Sequence, residues 1–284
     1  YWHRLRKAGA QVVFFNPFDW RAPANFAGRT HRKLLIIDGG KVLIGGAGVS
    51  DLWDGIEKAD DTQPWMDVEM ALTGDVANVA SALFQIHWQG HRLDSSSATI
   101  IDMDKIFAPD SGAENESKRS EASQQSILDS EKPKYENSSS KKEKLMSSTV
   151  LLTPGTRPTY RDSSIEKLKQ ILIASARERL WLASPYFLPN KSTRQLLINA
   201  KQAGVDVRIL TTSHRSDKKS VYYASYEVYG SLLRAGIQIF EYQPSMIHAK
   251  MIIVDDNWVN TGSANLDYRS FLHNDELDIA TDSA

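Results

Sequence analysis

Two segments of the chain repeat a set of residue types that could act together on a phosphate group. His31–Asp38 and His248–Asp255 each read His-x-Lys, four apolar residues and Asp. At the same offset from its histidine, each segment is followed by a turn of small residues, Gly45–Gly48 in the first copy and Gly262–Asn265 in the second. An internal repeat with matched spacing carries more weight than one short motif.

The residue types in this repeat suit nucleophilic attack on phosphorus. Side chains alternate between the two faces of a strand, so the histidine and the lysine of each copy point to the same side. Imidazole can attack phosphorus and exchange protons near neutral pH, and lysine supplies a positive charge for phosphoryl oxygens. Small-residue turns let backbone N–H groups approach the same oxygens. We therefore expect one site with His31 and His248 as catalytic residues and with phosphate contacts from Lys33, Lys250, Gly45 and Gly46.

Two other interpretations of the motifs were weighed. A single His-x-Lys would be an ordinary core or surface pair, because short patterns occur often by chance. Two copies with matched downstream turns argue against that interpretation. A zinc site is the second alternative, but the chain has no cysteine and neither motif has a histidine or carboxylate at a helical ligand spacing. The sequence therefore predicts neither a metal nor another cofactor.

The composition describes a globular protein without a broad electrostatic field. The chain has 284 residues, 41% of them hydrophobic, with a formal net charge of -1. Proteins that hold many phosphates usually carry a basic surface, so this balance argues against nucleic acid as a partner and makes phosphate recognition local. The absence of cysteine excludes disulfides and fits either redox compartment. No apolar run reaches the roughly 18 residues of a membrane span.

The elements that must position the first motif form an incomplete first half, residues 1–94. The sequence opens inside a helical pattern, which suggests an N-terminally truncated half. Asp38-Gly39-Gly40 joins two apolar runs and predicts a hairpin. The predicted elements are a helix over 1–10, strands over 11–15, 34–37, 41–44 and 66–72, and a helix over 75–88.

A change of composition separates the two motifs. Residues 95–148 are rich in Ser, Glu, Lys, Gln and Asn and carry few large apolar side chains. Such a segment buries too little apolar surface to offset the entropy of ordering, so we interpret it as a flexible insertion. Its charges alternate in sign, which is typical of a solvated linker. The second half then covers residues 149–284, and its C-terminus looks clipped.

The second half alternates between helical and strand patterns. This alternation predicts an α/β sheet with helices on both faces. Gly204 and Gly236 stand where helices should end before the next strand. The predicted helices cover 165–176, 192–203 and 221–234, and the predicted strands cover 180–183, 205–210 and 237–240.

The paired motifs resemble those of the phospholipase D superfamily, in its bacterial cardiolipin-synthase-like branch. The resemblance extends over nearly everything outside the insertion. It implies two similar α/β halves, each a mixed sheet flanked by helices, packed with pseudo-two-fold symmetry. Besides the two His-x-Lys motifs, it rests on Gly262–Asn265, Ser184–Pro189, Glu241–Pro244, Asn265–Phe271 and Asn274–Glu276.

The resemblance also implies roles for single residues. His31 would be the nucleophile, and His248 the acid that protonates the leaving alkoxide and then the base that activates the acceptor. Asp67 and Glu276 match the carboxylates that orient the two imidazoles. Lys33, Lys250 and Asn265 would bind the phosphoryl oxygens with Ser263 nearby, whereas Asp38 and Asp255 would support the motif turns.

One position departs from the symmetry of the repeat. Gly48 occupies the place of Asn265, so the first half lacks that phosphate donor and the site is expected to be asymmetric. Aromatic residues offer a further hint, since aromatic side chains favour water–lipid boundaries, although most are expected in the core. Those that could border an acyl-chain entrance are Trp20, Trp53, Trp65, Tyr186 and Tyr222.

The resemblance implies a phosphatidyltransferase that makes cardiolipin, with phosphatidylglycerol as donor and a lipid hydroxyl as acceptor. It also implies a peripheral place on the cytoplasmic membrane of a bacterium. Two alternatives stay open. A hydrolytic phospholipase or nuclease-type phosphodiesterase would use identical residues, and a catalytically silent lipid- or partner-binding module belongs to another class. The sequence leaves the oligomeric state open.

Overall fold

A computed structural model describes residues 2–15, 18, 20–21, 28–54, 63–90, 150–155 and 163–282. All of them belong to one unit, formed by residues 1–91 and 147–284. The insertion predicted at 95–148 lies outside the described residues. The division into halves therefore stays a prediction, and the fold follows from the elements before and after the gap.

The first half contributes a small antiparallel sheet and a long helix. The three strands run in the order β2-β3-β4. Asp38 and Gly39 have positive φ, 49° and 65°, and three residues join the paired Ile37 and Lys41, which confirms the predicted hairpin. The elements are α1 (Trp2–Lys7), β1 (Arg29–Thr30), β2 (Leu34–Ile37), β3 (Lys41–Gly45), β4 (Glu69–Thr73) and α2 (Asp75–Gly90).

Two strand predictions in this half need correction. Residues 11–15 form no strand; instead Val13 and Phe15 line an apolar cavity of about 210 Å³, and the Phe15 ring stacks on His87 at 4.7 Å. No neighbouring strand among the described residues pairs with them, and Val13 and Phe14 are exposed, so β-propensity alone does not make a strand here. The strand predicted over 66–72 begins only at Glu69, because Met66 pairs with Ile247 of the second half.

The second half forms the larger sheet. Its strand order is β1-β11-β10-β9-β6-β7-β8, with β5 paired to β11. The strands β6, β7 and β8 are parallel, and the remaining pairs within this half are antiparallel. The elements are β5 (Val150–Gly155), α3 (Ser164–Ser175), β6 (Arg179–Ala183), α4 (Lys191–Gln202), β7 (Asp206–Thr212), α5 (Lys219–Arg234), β8 (Gln238–Tyr242), β9 (Met251–Val254), β10 (Trp258–Gly262), α6 (Tyr268–Leu272) and β11 (Asn274–Asp282).

Local signals explain where these helices begin and end. The side chains of Ser163 and Asn190 accept backbone N–H groups at the starts of α3 and α4. Gly204 and Gly236 follow the ends of α4 and α5 with φ of 94° and 84°, a conformation that glycine adopts without steric cost, which confirms their predicted role. The sheet therefore receives its helices where the sequence pattern placed them.

Both faces of the large sheet are covered where it meets the first half. On one face, apolar residues of α3, α4 and α5 pack against β6, β7 and β9 in the main core. On the other face, Leu277 and Ile279 of β11 pack against α2 and β3. The result is a mixed α/β fold flanked by helices, as expected. Because α2 and β3 come from the first half, the second core joins the two halves.

Candidate active site

Two reciprocal backbone contacts bring the His-x-Lys motifs together. Thr30 pairs with Asp275, and the N–H of His31 donates to the carbonyl of Asp275 at 2.8 Å. In the same way Met66 pairs with Ile247, and the N–H of His248 donates to the carbonyl of Met66 at 2.7 Å. The backbone N–H of each histidine is therefore hydrogen-bonded to the residue that precedes the carboxylate of the opposite half.

The first histidine has a defined tautomer. Its Nδ1 lies 2.9 Å from Oε2 of Glu276 and 3.1 Å from the carbonyl oxygen of Ser263. Both partners can only accept, so Nδ1 of His31 carries a proton. The lone pair of the neutral ring is then on Nε2, the nitrogen that a nucleophile needs.

The second histidine is held by the first half. Nδ1 of His248 lies 2.8 Å from Oδ2 of Asp67, which also accepts the indole N–H of Trp53 at 3.1 Å. The rings of Trp53 and Trp65 lie 5.4 and 5.5 Å from the imidazole. These two tryptophans therefore lie against His248. The sequence had suggested them only as residues that could border an acyl-chain entrance.

Both orienting carboxylates stay ionised. Burial raises the pKa of Glu276, but the hydrogen bond and charge of His31 outweigh it and leave that pKa below its ordinary value. Burial also raises the pKa of Asp67, and the hydrogen bond from His248 with the charge of Lys250 outweighs it likewise. Each carboxylate can therefore stabilise an imidazolium when a proton arrives.

The two lysines place their charges beside the histidines. Nζ of Lys33 donates to the carbonyl of His31 at 2.9 Å. Nζ of Lys250 donates to the carbonyl of His248 at 2.5 Å and lies 2.8 and 3.0 Å from its ring nitrogens. Desolvation lowers the pKa of Lys33 to about 8 and that of Lys250 to about 7. An anion that enters the site would restore their charged forms.

Burial makes the second histidine a weaker base than an exposed imidazole. Burial and the nearby charge of Lys250 lower the pKa of His248 to about 4, against the opposing effect of Asp67. His248 is therefore neutral at pH 7. A phosphodiester between the lysines would offset their charge and raise the pKa of His248, so that the ring could hold a proton only once substrate is present.

The small-residue turns are fixed by the strands that follow them. The N–H of Ala47 donates to Oε1 of Glu69 at 2.6 Å, and the N–H of Ala264 donates to Oδ1 of Asp278 at 3.1 Å. A Cβ at Gly46 would lie 2.3 Å from Oδ1 of Asp67. Glycine is therefore required at position 46 because Asp67 approaches the backbone, and a Cβ at Gly45 would meet the same strand.

The two polar residues of the second turn differ in their hydrogen bonds. Ser263 is fully buried and donates its hydroxyl proton to Oε2 of Glu276 at 2.6 Å, so it orients the carboxylate that holds His31. Asn265 lines the cavity, and its Oδ1 has no hydrogen-bond partner within the described ranges. Gly48 offers no side chain at the matching place, which gives the expected asymmetry.

The motif aspartates lie at the far ends of their strands. Asp255 accepts the backbone N–H groups of Arg177, Glu178 and Arg179 at 2.7 to 2.8 Å. Asp38 and Asp255 have φ of 49° and 51°, so each begins the turn of its hairpin. Asp255 therefore supports the second motif strand, and the same role for Asp38 stays a prediction.

One cavity connects the two histidines. It has a volume of about 760 Å³ and is lined by both histidines and by Asn265. Its walls also include Tyr186, one of the aromatic residues suggested for an acyl-chain entrance, and Asp217, which the sequence analysis did not single out. Across the described residues, no group of three or more His, Cys, Asp or Glu side chains could hold a metal ion.

Sequence reasoning missed two supporting residues. Arg32, the middle residue of the first motif, donates to the carbonyls of Glu276 and Gly155 at 3.0 and 3.1 Å and so joins the halves. Lys169 is buried and pairs with Asp278 at 2.7 Å. A signal for Lys169 was present, because it falls on the apolar stripe of its helix with Ile165, Leu172 and Ile173.

Known proteins resemble the chain in sequence. Residues 170–284 match the family model described as "Cardiolipin synthase, PLD-like domain". A cardiolipin synthase of Geobacillus kaustophilus is 30% identical over 98% of this chain and 48% of its own length. Cardiolipin synthase A of Pseudomonas syringae is 31% identical over 99% of this chain and 50% of its own length. The chain spans about half the length of these curated relatives.

A solved structure resembles the fold. The phosphatidylserine synthase of Haemophilus influenzae aligns with a TM-score of 0.58 and 15% identity, over 90% of this chain and 58% of its own. At this identity the likeness concerns the fold alone. It spans both halves, consistent with the second core that α2 and β3 form with β11.

Proposed function

Because the chain belongs to the phospholipase D superfamily, we propose that it carries the active site of a phosphatidyltransferase that works through a phosphohistidine. One observation carries the proposal. Two histidines line a single cavity, and each has its Nδ1 beside a carboxylate of the opposite half, at 2.9 Å for His31 and 2.8 Å for His248. A lysine accompanies each histidine, as displacement at an anionic phosphorus requires.

In the first step, Nε2 of His31 attacks phosphorus. The new P–N bond forms while the P–O bond to the leaving alcohol breaks, and the alkoxide takes a proton from His248. Lys33 and Lys250 neutralise the phosphoryl oxygens, and this neutralisation is what lets His248 hold that proton beforehand. Glu276 stabilises the positive charge that His31 acquires as it forms the bond.

In the second step, a hydroxyl oxygen of the acceptor attacks phosphorus. Its proton goes to His248, which is then the base, and the P–N bond to His31 breaks. The acceptor enters after the first alcohol leaves, so the same site can transfer the group to an alcohol or to water. Transfer and hydrolysis therefore differ in which hydroxyl reaches the intermediate.

The names of the relatives guide the choice of substrate. Cardiolipin synthases are among the similar proteins. We therefore propose phosphatidylglycerol as donor, a second lipid hydroxyl as acceptor and a peripheral place on a bacterial membrane. No helix in the described part of the chain is long and apolar enough to cross a membrane.

Product analysis tests the proposal against its rivals. The chain is incubated with phosphatidylglycerol in detergent micelles, and separately with single-stranded DNA, with and without EDTA. We expect cardiolipin and free glycerol, unchanged by EDTA, and no product from His31→Ala. Phosphatidic acid alone would indicate hydrolysis, and cleavage of DNA alone would indicate a nuclease. Loss of turnover with EDTA that added metal restores would contradict the metal-free mechanism.

The buried lysine should set the alkaline limit of the first step. The pKa of Lys250 is lowered to about 7, so its charged form is lost as pH rises through that value. We expect kcat/KM for a p-nitrophenyl phosphodiester to fall above about pH 7, because kcat/KM reports the free enzyme. In Lys250→Arg the charge persists, and the fall should move up to the pKa of Lys33, about 8.

A matched control separates this effect from general changes in charge. Lys191→Arg, at the exposed start of α4, should leave the pH profile unchanged. An unshifted alkaline limit in Lys250→Arg would contradict the assignment.

A further inference from the structure

One carboxylate in the active-site cavity has no structural task in a helix or a turn. Among the described residues that line the cavity, only Asp217 and Asp267 carry carboxylates. Asp267 accepts the N–H of Ser270 at 2.7 Å and caps the start of α6. Asp217 has no such role. A negative charge in a cavity that binds an anion weakens that binding, so we expect the carboxylate of Asp217 to serve another purpose.

The position of Asp217 is fixed relative to the catalytic groups. Its backbone N–H contacts the sulfur of Met246 at 3.4 Å, two residues before His248. Its Oδ1 accepts the hydroxyl of Tyr186 at 2.6 Å. Burial and the hydrogen bond to Asp217 raise the pKa of Tyr186, so the phenol keeps its proton and remains the donor.

Tyr186 is tied in turn to the second motif. Two residues later, the N–H of Leu188 donates to the carbonyl of Leu266 at 2.9 Å, and the N–H of Leu266 donates to the hydroxyl of Ser184 at 3.1 Å. The pair of Tyr186 and Asp217 therefore stands between the turn that carries Asn265 and the segment that leads to His248.

The carboxylate of Asp217 keeps acceptor capacity. Oδ1 is used by Tyr186, Oδ2 lies 3.7 Å from Nζ of Lys218, and the side chain is 28% exposed. An ionised carboxylate offers about four lone-pair sites, so others remain for a ligand. A phosphodiester has no proton to donate. The ligand group that suits this carboxylate is a hydroxyl.

A second acceptor lines the same cavity. The amide nitrogen of Asn274 donates to Oε1 of Glu276 at 3.2 Å, which settles the orientation of the amide. Its Oδ1 is then an acceptor, and it has no partner in the part of the chain that the structure describes, although Asn274 is only 7% exposed. A buried acceptor without a partner is costly, and a hydroxyl ligand would satisfy it.

We propose that Asp217, oriented by Tyr186, accepts hydrogen bonds from the hydroxyl groups of the substrate alcohol and selects a polyol over a simple alcohol. This inference rests on the proposed function, which places the phosphate at the two histidines and lysines. It names the residue that recognises the glycerol group of the proposed donor by its neighbouring hydroxyls.

Binding of two matched ligands tests the inference without turnover. Glycerol phosphate and propyl phosphate share the phosphate and three carbons and differ in two hydroxyls. Titration of the tryptophan fluorescence, to which Trp53 and Trp65 beside His248 contribute, gives both Kd values. We expect the unmodified protein to prefer glycerol phosphate. Asp217→Asn should reduce that preference about tenfold, the size of a hydrogen bond to a charged group, without weakening propyl phosphate.

A second tyrosine–carboxylate pair supplies the control. Tyr226 donates to Glu241 at 3.0 Å, and neither residue lines the cavity. Tyr186→Phe should lower the preference, whereas Tyr226→Phe should not. Equal Kd values in the unmodified protein, or an unchanged preference in Asp217→Asn, would overturn the inference. Failure of the proposed function would look different, with the ligand preference intact and no phosphohistidine formed.

Discussion

His31→Ala is expected to abolish the covalent phosphohistidine whatever the leaving group. The reason is the tautomer of this ring. Nδ1 faces Oε2 of Glu276 and the carbonyl of Ser263, so Nε2 carries the lone pair that attacks phosphorus. No other nucleophile takes its place in the proposed scheme. We expect release of p-nitrophenol from a p-nitrophenyl phosphodiester to fall by at least about a thousandfold.

His248→Ala is expected to behave differently with the same substrate. p-Nitrophenolate leaves without a proton, so the acid is not needed in the first step. The variant should release one equivalent of p-nitrophenol per site and then stop, because no base remains to activate the acceptor. Its adduct should accumulate on His31.

Peptide mapping after an alkaline quench reads the outcome, since phosphohistidine survives base but not acid. The near-symmetry of the repeat defines the contradicting results. An adduct on His248 in the His31→Ala variant would reverse the two roles. Absence of an adduct in the unmodified protein and in both variants would argue against covalent catalysis.

Lys169→Met is expected to lower the free energy of unfolding by about 3–5 kcal/mol. Nζ of Lys169 lies 2.7 Å from Oδ2 of Asp278 and 3.1 Å from Oδ1 of Asn260, and both charged side chains are almost fully buried. Removing the lysine leaves the carboxylate without its counter-charge in an apolar interior. Urea unfolding followed by circular dichroism measures the difference.

Two further variants define this prediction. Lys169→Met with Asp278→Asn should recover part of the loss, because the unpaired buried charge is gone. Lys191→Met removes an exposed lysine of α4 and should change stability by no more than about 0.5 kcal/mol. Unaltered stability in Lys169→Met would show that the pair contributes nothing to the fold.

The pair of Lys169 and Asp278 also supports a turn of the candidate active site. Asp278 accepts the N–H of Ala264, next to Asn265 in the second turn. In the first half the matching acceptor is Glu69, which holds Ala47 and whose pKa burial raises. The two turns are therefore supported by equivalent carboxylates, and among the described residues only Asp278 of the two has a lysine within ion-pair distance.

Local patterns in the sequence determined much of this arrangement. Strand and helix periodicity, with stop signals at Gly204 and Gly236, was enough to place α3 to α5 and β6 to β8 within a few residues, whereas β5, β10, β11 and α6 were not predicted. The repeated His-x-Lys and its turn were enough to single out His31 and His248, which line one cavity. These features depend on neighbours along the chain, which is why one sequence reveals them.

Tertiary structure decided which groups meet across the halves. His31 contacts Glu276, 245 positions away, and His248 contacts Asp67, 181 positions away. These contacts depend on two short backbone pairings, Thr30 with Asp275 and Met66 with Ile247. The same packing placed the hydroxyl of Ser263 against Glu276. It also left residues 11–15 without a partner strand among the described residues. It also set the lowered pKa values of His248 and Lys250, because desolvation depends on what surrounds a side chain in space and no local pattern encodes it.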